Sequence, residues 1–330
     1  FSDPGVSVNP IPSGTPGTTV TTTVTLSNNG STTVTFTPVV VVNGVTTTLA
    51  PVTLAPGQST QSAPISVPLT TTGATVTANV SAPSVPDSNL SNNTSTQNAG
   101  ALFADVSTQV DLPANAPAGT VVTGTVTFTN LASASSGTGT TASATVGTVT
   151  LSNGESYTYT VGDLAPGASV TQTFTTTVPS TLGTVLEVTS TVATATPESN
   201  TANNQDVDNQ AGGEQTTPLF SDPGVNVQPI PSGTAGSTVT TTVTLSNNGS
   251  TTVTFTPVVV VNGVTTTLAS VTLAPGQTAS SAPISVPLTT TGATVTALVT
   301  SPSVPDNNST NNTDTETTAS LFADVTTEVD

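Results

Sequence analysis

The chain has 330 residues, 18 of them acidic, no Lys, Arg, His, Cys, Met or Trp, and a formal net charge of −18. With no cation to offer, it is repelled by nucleic-acid phosphates and anionic lipid surfaces alike. It also lacks the thiolates of disulfide and zinc frameworks, and the His, Cys and Lys on which most acid–base and nucleophilic catalysis draws.

A globular chain of this size ordinarily carries about 80 charged residues. Low charge and few aromatics point toward disorder, but Thr and Val dominate here, and β-branched residues favour strands. No apolar run approaches the ~20 residues of a membrane span, and no charged-then-apolar leader precedes Phe1, so no membrane insertion is expected. A start on Phe1 without an initiator Met reads as a processed or excised segment.

The opening Phe1 to Val6 returns at Phe220 to Val225, and near-identity continues from there at an offset of 219 residues. Thr19 to Ser27 alternates with period two, with Val20, Val24 and Leu26 on the predicted inner face. Asn43-Gly44, between Val39 to Val42 and Val45 to Leu49, predicts a two-residue hairpin turn with positive φ at both positions. Asn153-Gly154 and Asn262-Gly263 repeat it. Leu54-Ala55-Pro56-Gly57 and Leu164-Ala165-Pro166-Gly167 predict turns, with Pro fixing φ and Gly relieving strain. A later strand carries Val76, Ala78 and Val80 inward.

A weaker repeat lies inside the period. Val122, Val126 and Phe128 match the first alternating strand, and Leu186, Val188 and Val192 the later one. Two related modules thus alternate as A-B-A: residues 1–101, 102–218 and 219–320. Residues 321–330 begin a further B module or form a donated strand. The extra length of B is assigned to the loop Ala132 to Gly139. Seven or so short strands per ~100 residues, with frequent turn signals and no helical periodicity, define an all-β chain of tandem immunoglobulin-like antiparallel β-sandwiches. Val39 to Val42 has high strand propensity and no charged gatekeeper. At a sheet edge it would be a template for strand addition.

Three copies of an Asn-rich stretch punctuate the chain: Pro86 to Asn93, Pro197 to Asn204 and Pro305 to Asn312. Each is followed by Leu-Phe-(Ala/Ser)-Asp, at Leu102, Leu219 and Leu321. Together with Thr127-Phe128-Thr129-Asn130 and Leu164 to Ser169, these motifs resemble the bacterial and archaeal DUF11 and CARDB-type repeats. The resemblance covers the whole chain and is best in module B. It implies immunoglobulin-like modules in tandem and a cell-surface structural role, with no catalytic residues to carry over.

If these stretches and the openings that follow them are read as joints between modules, 15 of the 18 carboxylates lie at the joints or at chain-end copies of them. Only Glu155, Asp163 and Glu187 lie elsewhere. Ca²⁺ takes six to eight oxygens from carboxylates, Asn side chains and backbone carbonyls. One reading groups Asp87, Asn89 and Asn92 with Asp105 as a calcium site, repeated as Glu198, Asn200, Asn203 and Asp222, and as Asp306, Asn308, Asn311 and Asp324. The other reading makes these loops self-capping turns with solubilising acids. The neighbouring Phe1, Phe103, Phe220 and Phe322 are expected to be core residues or plugs between modules.

These observations point to a non-catalytic extracellular filament or stalk that self-associates or continues into neighbouring modules of a longer chain. The alternative is a surface adhesin or S-layer-like protein that binds a glycan or protein through the same modules. Near-identical copies without exposed aromatic or Arg clusters lack the usual binding hot spots.

Overall fold

The computed structural model describes residues 1–133, 138–207 and 215–322. Strands pair almost wholly antiparallel, and three separate apolar cores form, within residues 6–99, 104–192 and 225–299. The chain is therefore all-β, a succession of immunoglobulin-like sandwiches.

In the first module the strands are β1 (Pro4–Val8), β2 (Thr19–Thr22), β3 (Val24–Asn28), β4 (Val34–Val42), β5 (Val45–Thr48), β6 (Val52–Leu54), β7 (Ser59–Gln61), β8 (Ile65–Pro68), β9 (Ala74–Ser81) and β10 (Thr94–Ala99). One sheet runs β1-β3-β7 and continues through the pair β2-β8. The other runs β10-β9-β4-β5, with β6 also on β4. Alternate residues of β3 and β4 (Val24, Leu26, Val34, Phe36 and Val40) face inward and are buried, as a period-two pattern requires. The third module repeats this arrangement 219 residues later.

The predicted strand from Thr19 to Ser27 is interrupted at Thr23. Opposite the break, Pro64 has no N–H for the ladder, and the Ser62 hydroxyl accepts from the Val24 N–H at 3.0 Å in place of a backbone group. Module B has no Pro there. Its β13 (Val121–Asn130) pairs unbroken with both β11 (Val106–Asp111) and β16 (Ser169–Thr177). The remaining strands of B are β12 (Asn115–Pro117), β14 (Ala142–Leu151), β15 (Ser156–Leu164), β17 (Val188–Ala193) and β18 (Gln205–Val207), and β19 (Thr217–Leu219) follows them.

The Asn43-Gly44 turn forms as predicted, with φ of 48° and 85°, and Asn262-Gly263 repeats it at 49° and 85°. At the Asn153-Gly154 turn only Gly154 takes positive φ, 92°. There the Leu151 N–H donates to Glu155 C=O at 3.0 Å, so the loop is one residue longer and uses glycine alone in the left-handed region. Val39 to Val42 lies in β4, flanked by β9 and by β5, so it is a central strand and not an edge. Of the loop assigned to the extra length of B, residues 134–137 lie outside the described residues, as do residues 323–330.

One buried carboxamide recurs in each module, at Asn28, Asn130 and Asn247, all 0% exposed. Asn130 Nδ2 donates to the carbonyls of Thr140 and Leu164 at 2.9 Å each, and its Oδ1 accepts the N–H groups of Asp105 at 3.2 Å and Ala132 at 3.1 Å. All four of its hydrogen bonds reach backbone, so removing the side chain takes a partner from four backbone groups at once. Asn130→Ala is expected to cost about 3 kcal/mol. Calorimetry should show one transition moved down and the others in place.

Candidate functional site: a carboxylate–carboxamide clasp in each module

The Asn-rich stretch closes a module on itself. Ser2 bridges Asp87 within the first module, Ala104 bridges Glu198 within the second, and Ser221 bridges Asp306 within the third. These contacts place the opening residues of each module beside its own closing loop. A short 3₁₀ turn, Leu90–Asn92 or Ser309–Asn311, follows an Asn N-cap in both A modules.

Each clasp holds two carboxylates and two adjacent carboxamides. In the first, Asn92 Nδ2 donates to Asp3 Oδ1 at 2.7 Å and Asn93 Nδ2 to Asp87 Oδ2 at 2.8 Å, while Asp87 Oδ1 accepts the Asn89 N–H at 3.0 Å. In the second, Asn203 bonds Asp105 at 2.8 Å, and Asn204 bonds Glu198 at 2.9 Å. In the third, Asn311 bonds Asp222 and Asn312 bonds Asp306, each at 2.7 Å.

The set expected from sequence is therefore regrouped. Asp105 meets Asn203, and Asp222 meets Asn311, inside the modules they open, so neither hydrogen-bonds the closing loop of the preceding module. Asn89, Asn200 and Asn308 are occupied as local caps, their Oδ1 atoms accepting from Ser91, Ala202 and Thr310. Asp324 lies outside the described residues. Sequence reasoning missed Asp3 as a member, and with it the second Asn of each pair: Asn93, Asn204 and Asn312. The available signal was that both Asn positions persist in all three copies while the residues before them change from Leu-Ser to Thr-Ala to Ser-Thr.

Other acids have local roles. Asp206 Oδ2 accepts the Val110 N–H at 2.8 Å, and Asp314 Oδ2 accepts the Val227 N–H at 2.7 Å. Ser95 does the same for Val8 at 3.0 Å. These side chains cover the outer N–H of the first strand, an exposed sheet edge. Among the described residues no three carboxylates gather into one cluster. Of the four Phe, Phe220 is buried and Phe103 half-buried, while Phe1 and Phe322 are 80% and 69% exposed.

The opposite side of the sandwich separates A from B. In both A modules an apolar cleft of about 480 Å³ opens between β5 and β8 or their repeats, lined in the first by Val40, Val42, Val45, Leu49, Ile65 and Pro68. Thr47 and Leu49 stand where B carries Tyr157 and Tyr159. The Tyr157 ring packs on Phe174 at 5.5 Å and Tyr159 on Phe128 at 6.0 Å. Their hydroxyls donate to the Thr175 and Thr173 carbonyls of β16. Gly124 makes room for this, since a Cβ there would lie 2.3 Å from Phe174 Cζ. The tyrosines thus seal in B the gap that A leaves open.

No protein-family model and no curated protein sequence matches the chain. Solved structures give faint likenesses. A red sea bream transglutaminase is 14% identical, with a TM-score of 0.27, over 60% of this chain and 29% of that one. Native E. coli alpha-2-macroglobulin is 12% identical, with a TM-score of 0.25, over 97% of this chain and 23% of that one. The elastase-activated form is 10% identical, with a TM-score of 0.24, over 97% and 33%. The chain thus spans a third or less of each, and the fold class rests on its own strand pairing.

Two outcomes follow for module B. Tyr157→Thr should reopen the cleft and lower its stability by about 2 kcal/mol in urea denaturation, through lost aromatic burial and a lost hydrogen bond. Burial, and then the neighbouring Tyr157, raise the Tyr159 pKa above its ordinary 10.0. The stability this contributes is complete below the unfolded value and is lost as pH rises through the folded one. Both tyrosines of the chain lie in B. Alkaline titration should therefore leave the A transitions unmoved above pH 10 while that of B falls, and Tyr159→Phe should flatten part of the fall.

Proposed function

We propose that the chain is a structural segment of an extracellular filament or stalk, built from tandem sandwiches, that performs no catalysis. The observation that carries this reading is a parallel backbone stitch at the exit of every module. Gly14 bridges Ala101, β12 pairs with β19, and Gly233–Thr234 pairs with Ser320–Leu321. The Leu102 N–H donates to Gly14 C=O at 2.9 Å, and the Ala118 N–H to Leu219 C=O at 2.8 Å. A free linker of small polar residues would swing as a flexible coil. Here the outgoing chain is fastened to the module it leaves, which supports a stiff succession of units.

Composition fits the same role. A chain without Lys or Arg presents no site for a trypsin-like protease, and its proposed partners are neighbouring modules of the same protein at a cell surface. The resemblance to surface repeats agrees with this. Small-angle scattering from chains of one, two and three A-B periods tests the reading: the maximum dimension should grow by a constant increment. A plateau, or compact particles whose size does not track repeat number, would overturn it. Leu102→Pro removes the stitching N–H and should broaden the distance distribution.

A further inference from the structure

The apolar cleft of each A module lies between two unpaired sheet edges. β5 pairs with β4 alone and β8 with β2 alone, so each ends its sheet where the cleft opens. All four residues of β5 are exposed, Val45 by 69%, and none is charged. The edge of the first strand is treated differently: in all three modules Ser95, Asp206 or Asp314 covers one of its N–H groups. An uncovered, uncharged edge is a template for an added strand.

The β8 wall is rich in acceptors and poor in donors. Pro64 and Pro68 have no N–H. Leu69 turns its N–H to Thr18 C=O on the β2 side at 2.9 Å, so the carbonyls of Pro68 and Ser66 point away from β2. Asn43 Nδ2 donates to that of Pro68 at 2.8 Å, and Asn262 does the same for Pro287. In module B, Val178 makes the bonds of Leu69: each donates to a Thr carbonyl and accepts from a Gly N–H. Counting back from these two residues matches Ser66 with Thr175 and Pro64 with Thr173. There the Tyr157 hydroxyl donates to Thr175 C=O and the Tyr159 hydroxyl to Thr173 C=O at 3.3 Å, while the rings pack on Phe174 and Phe128. The middle module therefore shows what satisfies such a gap: flat apolar rings with a hydroxyl donor at the tip, borne on alternate residues of a strand.

We infer that the cleft of each A module docks an extended segment of a partner protein that carries tyrosine at alternate residues. A strand laid along β5 stands over the gap, so every second side chain enters it. The free edge of β5 supplies backbone hydrogen bonds, Val40, Leu49 and Ile65 supply apolar contact, and the Ser66 carbonyl accepts a phenol hydroxyl. In the third module the same roles fall to Val264–Thr267, Val259, Leu268, Ile284 and Ser285. The partner is a different protein, because both tyrosines of this chain are committed within B, and two copies at −18 each repel. The same charge favours a neutral or basic segment over an acidic one. The cleft lies apart from the exit stitches, so its occupancy does not depend on the filament reading.

Isothermal titration of the 330-residue chain with an end-capped Ser-Tyr-Thr-Tyr-Thr peptide, copied from Ser156 to Thr160, tests this. The expected result is saturable binding of two peptides per chain, one for each A module. The Ser-Phe-Thr-Phe-Thr peptide, which lacks the hydroxyl donors, should bind about tenfold more weakly. Thr47→Glu places a charge on an exposed residue of the first cleft, so it should fold and lose one of the two sites. No saturable binding, equal binding of the Phe peptide, or two sites retained in Thr47→Glu would overturn the inference. So would p-cresol binding as tightly as the peptide, which would make a free phenol the occupant. Sedimentation showing a dimer of the chain that Thr47→Glu dissolves would assign the cleft to a second copy and overturn it as well. Should Thr47→Glu fail to fold, the wild-type stoichiometry and the ratio between the two peptides still decide.

Discussion

A single carboxamide at the end of the second long strand holds each module in register. Asn28, Asn130 and Asn247 donate twice and accept twice, always to backbone. In the first module the partners are the Asp3 N–H at the opening, the Gly30 N–H and Thr32 carbonyl in the following loop, and the Leu54 carbonyl in the facing sheet. A fully satisfied buried amide is satisfied in one geometry only. It fixes where the first strand begins, and so which residues stand beside the closing loop and form the clasp.

The absence of cations governs the rest of the polar design. A carboxylate in this chain has no Lys or Arg side chain to meet, so its charge is met by dipoles: side-chain amides in the clasps and strand N–H groups at Asp206 and Asp314. Each amide that donates to a carboxylate brings a carbonyl oxygen along with it. Neutralising acids with asparagine therefore leaves acceptors over, and the surplus accumulates where the asparagines do.

What could be read from sequence was what local chemistry decides. Alternation in Val24 and Leu26, or Val126 and Phe128, sets which side is buried whatever the strand pairs with, and Asn43-Gly44 fixes its turn by backbone sterics alone. The architecture of sandwiches in tandem followed from such signals. What escaped the reading depended on partners far away in the chain. The closing motif is adjacent in sequence to the next module, which suggests a joint between the two. The sandwich instead returns its first strand beside its last loop, so Asp3 meets Asn92 across the whole length of the module. The interruption at Thr23 could not be seen in its own segment, because its cause is Pro64 on the partner strand. The tyrosine seal of B likewise depends on Gly124, a residue that draws no attention in an alternating strand.

The parallel stitch at each exit bears on how force passes along the chain. In β12 and β19 the two segments run in the same direction, one held by the body of module B and the other leading away from it. Tension on the outgoing chain slides one strand along the other, so the hydrogen bonds are loaded together in shear and do not peel open one after another. Resistance to extension then resides in a few backbone bonds per module and engages before the apolar core is strained. A force applied to the two ends of the chain would reach the core of each sandwich only after that short pairing had been strained.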